Sequence, residues 1–88
     1  MSRYRQNPTI AWRQIDDQSV LIDPVSGVVF VLNELGGQVW ELLEHARDTH
    51  ELVNEVRNAR PAAPVSLGDD IDRFLTALVE RELAVATA

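Results

Sequence analysis

The 88-residue sequence contains no cysteine, no lysine and only two histidines. The absence of cysteine excludes a disulfide framework and a thiolate zinc site. No apolar run approaches the roughly 18 residues that a membrane-spanning helix needs. The first nine residues, MSRYRQNPT, carry charge and lack the apolar stretch of a secretory signal. We therefore expect one cytoplasmic domain over residues 1–88, not associated with a membrane, with residues 1–8 flexible.

Residues suited to catalysis or metal binding are also scarce. His45 and His50 flank Asp48, but this spacing fits neither an HExxH helix nor a zinc finger. Two exposed polar side chains in a link between helices explain the pattern better than a metal site does. Because no constellation of nucleophile, base and carboxylate can be assembled either, we expect a binding module that is not an enzyme and needs no metal or cofactor.

The net charge of −6 argues against nucleic acid as a partner. Neutralisation of phosphates by basic side chains supplies much of the affinity for nucleic acids. All eight basic residues are arginines, and fourteen carboxylates outnumber them. The charge balance leaves peptide and protein partners open.

Residues 21–43, LIDPVSGVVFVLNELGGQVWELL, form the most informative stretch. They predict a strand, a turn at residues 23–27, a second strand at residues 28–32 and then a helix capped by Asn33. The strand at 28–32 is apolar at every position, which predicts that both of its faces are covered. The Gly36-Gly37 pair predicts close approach of the helix to another backbone, rather than a phosphate-binding loop, since no Lys-Ser/Thr follows.

The remaining elements follow from periodicity and capping. Alternation over residues 9–15 predicts a strand before residues 19–23, so three strands form an antiparallel meander. Asp48 with Glu51 predicts a capping box for a second helix, and Ser66 with Asp69 a cap for a third. The tail from Leu83 onward stays unassigned. The predicted class is α+β, with a three-stranded antiparallel sheet followed by three helices in a winged-helix-like order.

Three spaced motifs give the chain a family resemblance. They are Leu21-x-Asp23-x-x-x-Gly27, then Leu32-Asn33-x-x-Gly36-x-x-x-Trp40-x-Leu42-Leu43, then Ile71-Asp72-x-Phe74-Leu75-x-x-Leu78. In this order the sequence resembles the PqqD-like family, the recognition elements for ribosomally synthesised and post-translationally modified peptides (RiPPs). The resemblance implies a sheet of three strands packed on three helices.

The resemblance also implies a binding site. In the family, the leader of a precursor peptide adds as a fourth strand and lies in a groove beside the third helix. The residues implied here are Val28, Val29, Phe30, Val31 and Leu32 on the strand, and Asp70, Arg73, Phe74, Ala77 and Leu78 on the third helix.

The sequence leaves two of these roles open. Arg73 can bind an acidic leader side chain or pair with Asp69 or Asp70 on its own helix. Phe74 can wall the groove or belong to the core. Which face of the strand lines the groove also stays open.

The expected function is delivery of the leader to a modifying enzyme, either a leader peptidase or a radical SAM protein, for example in lasso peptide biosynthesis. A homodimer formed through exposed strand edges is compatible with this reading. The rival interpretations are a winged-helix nucleic-acid or regulatory domain and a small enzyme or metal subunit. The first rival needs a basic face on the second or third helix, where Asp69, Asp70 and Asp72 lie instead.

Overall fold

The computed structural model describes residues 2–87, which form two small sheets and three helices. In chain order the elements are β1 (Arg3–Gln6), β2 (Ala11–Ile15), β3 (Gln18–Ile22), β4 (Val29–Leu32), α1 (Glu34–Leu42), α2 (Thr49–Ala59), α3 (Leu67–Glu80) and β5 (Ala84–Thr87). The predicted α+β class, with its three-stranded antiparallel sheet and three helices, is confirmed. No helix within residues 2–87 has the length and apolar character needed to cross a bilayer.

The three-stranded sheet has the order β2-β3-β4 and is antiparallel throughout. Asp16 and Asp17 form the turn between β2 and β3, and Asp16 has a positive φ of 55°. Asp tolerates that conformation better than most residues.

The turn between β3 and β4 is built around Asp23. Its carboxylate accepts the backbone N–H of Val25 at 2.9 Å and that of Ser26 at 3.4 Å. The bond from Val25 is the main cause that holds the pKa of Asp23 below its ordinary value. Gly27 follows with a φ of +75°, a conformation that glycine adopts without strain. The predicted turn at residues 23–27 is confirmed.

Helix α1 starts at Asn33, whose Oδ1 accepts the N–H of Gly36 at 2.8 Å, so the predicted cap is confirmed. One turn later the helix lies against β3. A Cβ atom on Gly37 would lie 2.6 Å from the hydroxyl oxygen of Ser19, which is itself buried. The predicted close approach is therefore real, and it holds α1 directly over the sheet.

Helix α2 begins at the predicted capping box. The N–H of Glu51 donates to the Asp48 carboxylate at 2.8 Å, and the N–H of Asp48 donates to the Glu51 carboxylate at 3.0 Å. The predicted side-chain cap at Ser66 is wrong. Ser66 already has helical backbone angles and makes no capping bond, and its hydroxyl donates to Asp70 instead.

The core lies between one face of the three-stranded sheet and the three helices. Trp40 of α1 is fully buried and packs edge-to-face on Trp12 of β2, with ring centroids 6.2 Å apart. The largest fully buried side chains are Trp40, Leu21, Leu43, Leu52, Leu67, Ile71, Leu75, Leu83, Val39 and Val56.

Strand β1 lies inside the stretch 1–8 that was expected to be flexible. Residues Arg3–Gln6 pair antiparallel with β5, and Tyr4 also exchanges backbone hydrogen bonds with Arg47 at 2.7 and 2.9 Å. The unassigned tail supplies the second strand of this ribbon, directly after the buried Leu83. Local sequence patterns do not predict this pairing, because β1 and β5 are at opposite ends of the chain.

Candidate functional site

Strand β4 is at the edge of the three-stranded sheet. Its neighbour on one side is β3, and within residues 2–87 nothing pairs with its other side. An edge strand presents a row of N–H and C=O groups that another strand can use. The direction of each N–H and C=O group on β4 therefore decides which of them an added strand can bond.

The open edge carries the backbone groups of Val29 and Val31. In an antiparallel pair, residues alternate between those that bond the partner strand and those whose N–H and C=O point away from it. Asp23 donates its N–H to the carbonyl of Val28 at 3.0 Å, so Val28 faces β3. In the register, Phe30 lies opposite Leu21 and Leu32 lies opposite Ser19. By alternation, the N–H and C=O groups of Phe30 and Leu32 point toward β3, and those of Val29 and Val31 point outward.

The side chains of β4 show that only one of its faces is covered. Phe30 and Leu32 are half-buried against the core, whereas Val29 and Val31 are 55% and 57% exposed. The prediction that both faces are covered is wrong, because α1 packs on the core side of the sheet and leaves the Val29 and Val31 side chains exposed on the other side. Val28 is also exposed, and it lies just before the first residue of β4.

A cavity of about 290 Å³ lies between the C-terminal end of β4 and helix α3, with α1 as its floor. We call it the β4–α3 groove. Gly36 keeps it open, because a Cβ atom there would lie 3.4 Å from the Phe74 ring and 3.5 Å from Leu32. The lining residues are Val31, Leu32, Asn33, Leu35, Gly36, Val39, Asp70, Ile71 and Phe74.

The residues of α3 implied by the resemblance separate into three groups. Asp70 and Phe74 line the groove, and Phe74 also packs against the core, so both of its readings hold. Arg73 is largely exposed and pairs with Asp70 at 2.6 Å, the intrahelical alternative. Ala77 is half-buried outside the groove lining.

Leu78 requires a correction. It is 2% exposed and belongs to the hydrophobic core, so its side chain does not face the groove. The apolar stripe of α3 is wide enough that spacing alone does not separate its core side from its groove side.

Arg81 was not predicted as a site residue. Its guanidinium carbon lies 5.7 Å from the ring centroid of Phe30, close enough for a cation–π contact. Helical spacing from Phe74 through Ala77 to Arg81 was the signal that pointed to it.

The two histidines lie apart from this site. Both His45 and His50 are exposed. Within residues 2–87 no group of three or more His, Asp or Glu side chains is placed to hold a metal ion.

Comparison with known families decides the assignment. The family model of coenzyme PQQ synthesis protein D (PqqD) matches residues 18–84, from the start of β3 to the first residue of β5. The chain belongs to the PqqD family. The match includes β4 and all three helices, so it contains every element that lines the groove.

Two solved structures resemble this PqqD-family chain over nearly its whole length. One is TbiB1 in complex with the TbiA(beta) leader peptide, which is 27% identical, with a TM-score of 0.82 over 96% of this chain and 98% of that chain. The other is lasso peptide synthetase B1 complexed with the leader peptide, which is 24% identical and shares the fold, with a TM-score of 0.76 over 93% and 96% of the two chains. No curated protein sequence gives a significant match.

Proposed function

We propose that this PqqD-family chain is a RiPP recognition element that binds the leader region of a precursor peptide by β-strand addition to β4. The observation that carries the proposal is the open edge of β4, where the N–H and C=O groups of Val29 and Val31 point outward beside an apolar groove. Strand addition satisfies such groups, and pockets for alternate side chains supply specificity.

The comparison with TbiB1 supports the same proposal. That protein was solved with a leader peptide, is 27% identical and aligns with almost all of this chain. Lasso peptide synthetase B1, whose fold this chain shares, was also solved with a leader peptide, so we propose a lasso peptide pathway as the setting for this chain.

The proposed roles of the individual residues follow from their positions. Val29 and Val31 hydrogen-bond the leader backbone, while Val28, Phe30 and Leu32 hold β4 against the rest of the sheet. On α3, Phe74 forms the apolar wall of the groove. Asp70 and Arg73 form a charged rim, and Ala77 continues that side of the helix toward Arg81.

The proposed mechanism is tethering without catalysis by this chain. Binding the leader raises the effective concentration of the attached core peptide at the active site of a second protein. That partner would be a leader peptidase or another modifying enzyme, such as a radical SAM protein. A homodimer that pairs two β4 edges would occupy the same surface and would compete with the leader.

A winged-helix nucleic-acid domain is the weaker alternative. Helix α3 opens with Asp69 and Asp70 in its first turn, and α2 carries Glu51 in its own. These carboxylates would repel the phosphates that such a domain must approach.

Titration calorimetry tests the proposal. The candidate ligand is the synthetic N-terminal half of the peptide encoded by the short open reading frame nearest to this gene, and the control is the C-terminal half of the same peptide. We expect saturable one-to-one binding of the leader and none of the core. Absence of heat with the leader, confirmed by an unchanged amide spectrum, would contradict the proposed function.

A further inference from the structure

A second apolar cavity, of about 350 Å³, lies beside the β4–α3 groove. The loop between α2 and α3 forms its outer wall, and Leu35 of α1 and Leu67 of α3 form its base. We call it the proline cavity; its loop residues are Pro61, Ala62, Ala63 and Pro64. Its volume is in the range of small-ligand pockets, about 300–1,000 Å³.

The proline cavity adjoins the groove. Leu35 and Asp70 line both spaces. The groove itself opens at Val31 and Leu32, the C-terminal end of β4. The two cavities therefore lie side by side across Leu35 and Asp70, between the open edge of β4 and the loop before α3.

The polar groups on the rim of the proline cavity already have partners. Arg60 pairs with Glu34 at 3.1 Å and donates from Nε to the Gln38 side chain at 2.9 Å. Asp70 accepts from Arg73 at 2.6 Å and from Ser66 at 3.2 Å. The rest of the lining is aliphatic, so a charged occupant would lose hydration without gaining a partner.

The loop that forms the wall is held in place. Arg57 donates to the carbonyls of Ala63 and Pro64, each at 3.3 Å, and the N–H of Ala63 donates to the carbonyl of Arg60 at 3.0 Å. The two proline rings fix their own φ angles. A cavity formed in advance costs little ordering when it is filled.

We infer that the proline cavity is a second specificity subsite, which takes one bulky uncharged apolar side chain of the leader from just outside the segment paired with β4. This inference rests on the proposed function, because the same peptide must occupy the groove. An antiparallel leader would place this anchor on the N-terminal side of its paired segment, and a parallel leader on the C-terminal side.

The test fills the cavity from the protein side. Ala62→Trp should lower the affinity for the synthetic leader about tenfold, a loss that calorimetry resolves readily. Val65→Trp is the matched control, because Val65 is in the same loop, is 95% exposed and does not line the cavity. The control should bind the leader like the unsubstituted chain, and thermal melting should be similar for all three proteins.

The peptide side supplies the second measurement. Each apolar leader residue that flanks the paired segment is replaced by alanine, and one replacement should lower affinity for the unsubstituted protein but not for Ala62→Trp. Two results would overturn the subsite while leaving leader binding intact. One is equal affinity of Ala62→Trp and Val65→Trp for the leader. The other is an alanine replacement in the leader that lowers the affinity for Ala62→Trp as much as for the unsubstituted protein. Failure of the unsubstituted protein to bind the leader would overturn both proposals.

Discussion

Val31→Pro is expected to weaken leader binding by about tenfold or more while leaving the fold intact. Proline removes the N–H that Val31 presents at the open edge of β4 and leaves a leader carbonyl without its donor. An unsatisfied group of this kind costs about 1–3 kcal/mol. An edge strand tolerates proline where the missing N–H faces away from the sheet, as the register places it here. Titration calorimetry measures the affinity, and urea unfolding measures the free energy of unfolding.

Two variants make this result specific to the backbone. Val31→Ala shortens the side chain but keeps the N–H, so it should bind the leader much more tightly than Val31→Pro. Phe30→Pro removes an N–H that faces β3 and should destabilise the protein, because it breaks the ladder of the sheet. Unchanged affinity in a folded Val31→Pro variant would count against strand addition at β4.

Gly36→Leu is expected to have a comparably large effect, with an affinity loss of about tenfold or more. The new side chain would start 3.4 Å from the Phe74 ring and 3.5 Å from Leu32, and would fill the space between them. The N–H of residue 36 can still donate to Asn33, although the capping Oδ1 would lie 3.3 Å from the new Cβ atom and must shift by a few tenths of an ångström. Titration with the leader peptide is again the measurement.

Gly68→Leu is the matched control for groove filling. Gly68 is near the start of α3, and a Cβ atom there would have nothing within 4 Å. This variant should retain leader affinity and unfold at a similar or slightly higher urea concentration, since leucine favours a helix more than glycine does. If the leader bound Gly36→Leu and Gly68→Leu equally well, the groove would not be the binding site.

Features set by a few neighbouring residues were predictable from the sequence. The Asp23 turn, the Asn33 cap and the Asp48 capping box each depend on a side chain that bonds a backbone N–H two or three residues away. Such bonds need no tertiary information. The Gly36-Gly37 pair was informative for a related reason, because a missing side chain signals that something must come close.

Features set by distant partners were not predictable in this way. The polar segment RYRQ forms β1 only because β5 comes back to it from the other end of the chain. A short strand that is apolar at every position does not reveal which face the helices will cover, so the exposure of Val29 and Val31 was missed.

The residues that line the groove were also only partly predictable from the sequence. Its wall residue Phe74 was predicted, whereas Leu78, one helical turn further along α3, proved to be in the core. Arg81 reaches β4 only through its contact with the Phe30 ring, which belongs to a distant element of the chain. Only the packing of α3 relative to β4 decides which positions face the groove.

Amide hydrogen exchange on β4, with and without the leader peptide, tests the central claim most directly. In the protein alone, the amides of Phe30 and Leu32 should exchange slowly because they bond β3, while those of Val29 and Val31 should exchange quickly. Saturation with the leader should slow exchange at Val29 and Val31 and leave the other two nearly unchanged. Fast exchange at Val29 and Val31 in the saturated complex would contradict binding of the leader as a fourth strand.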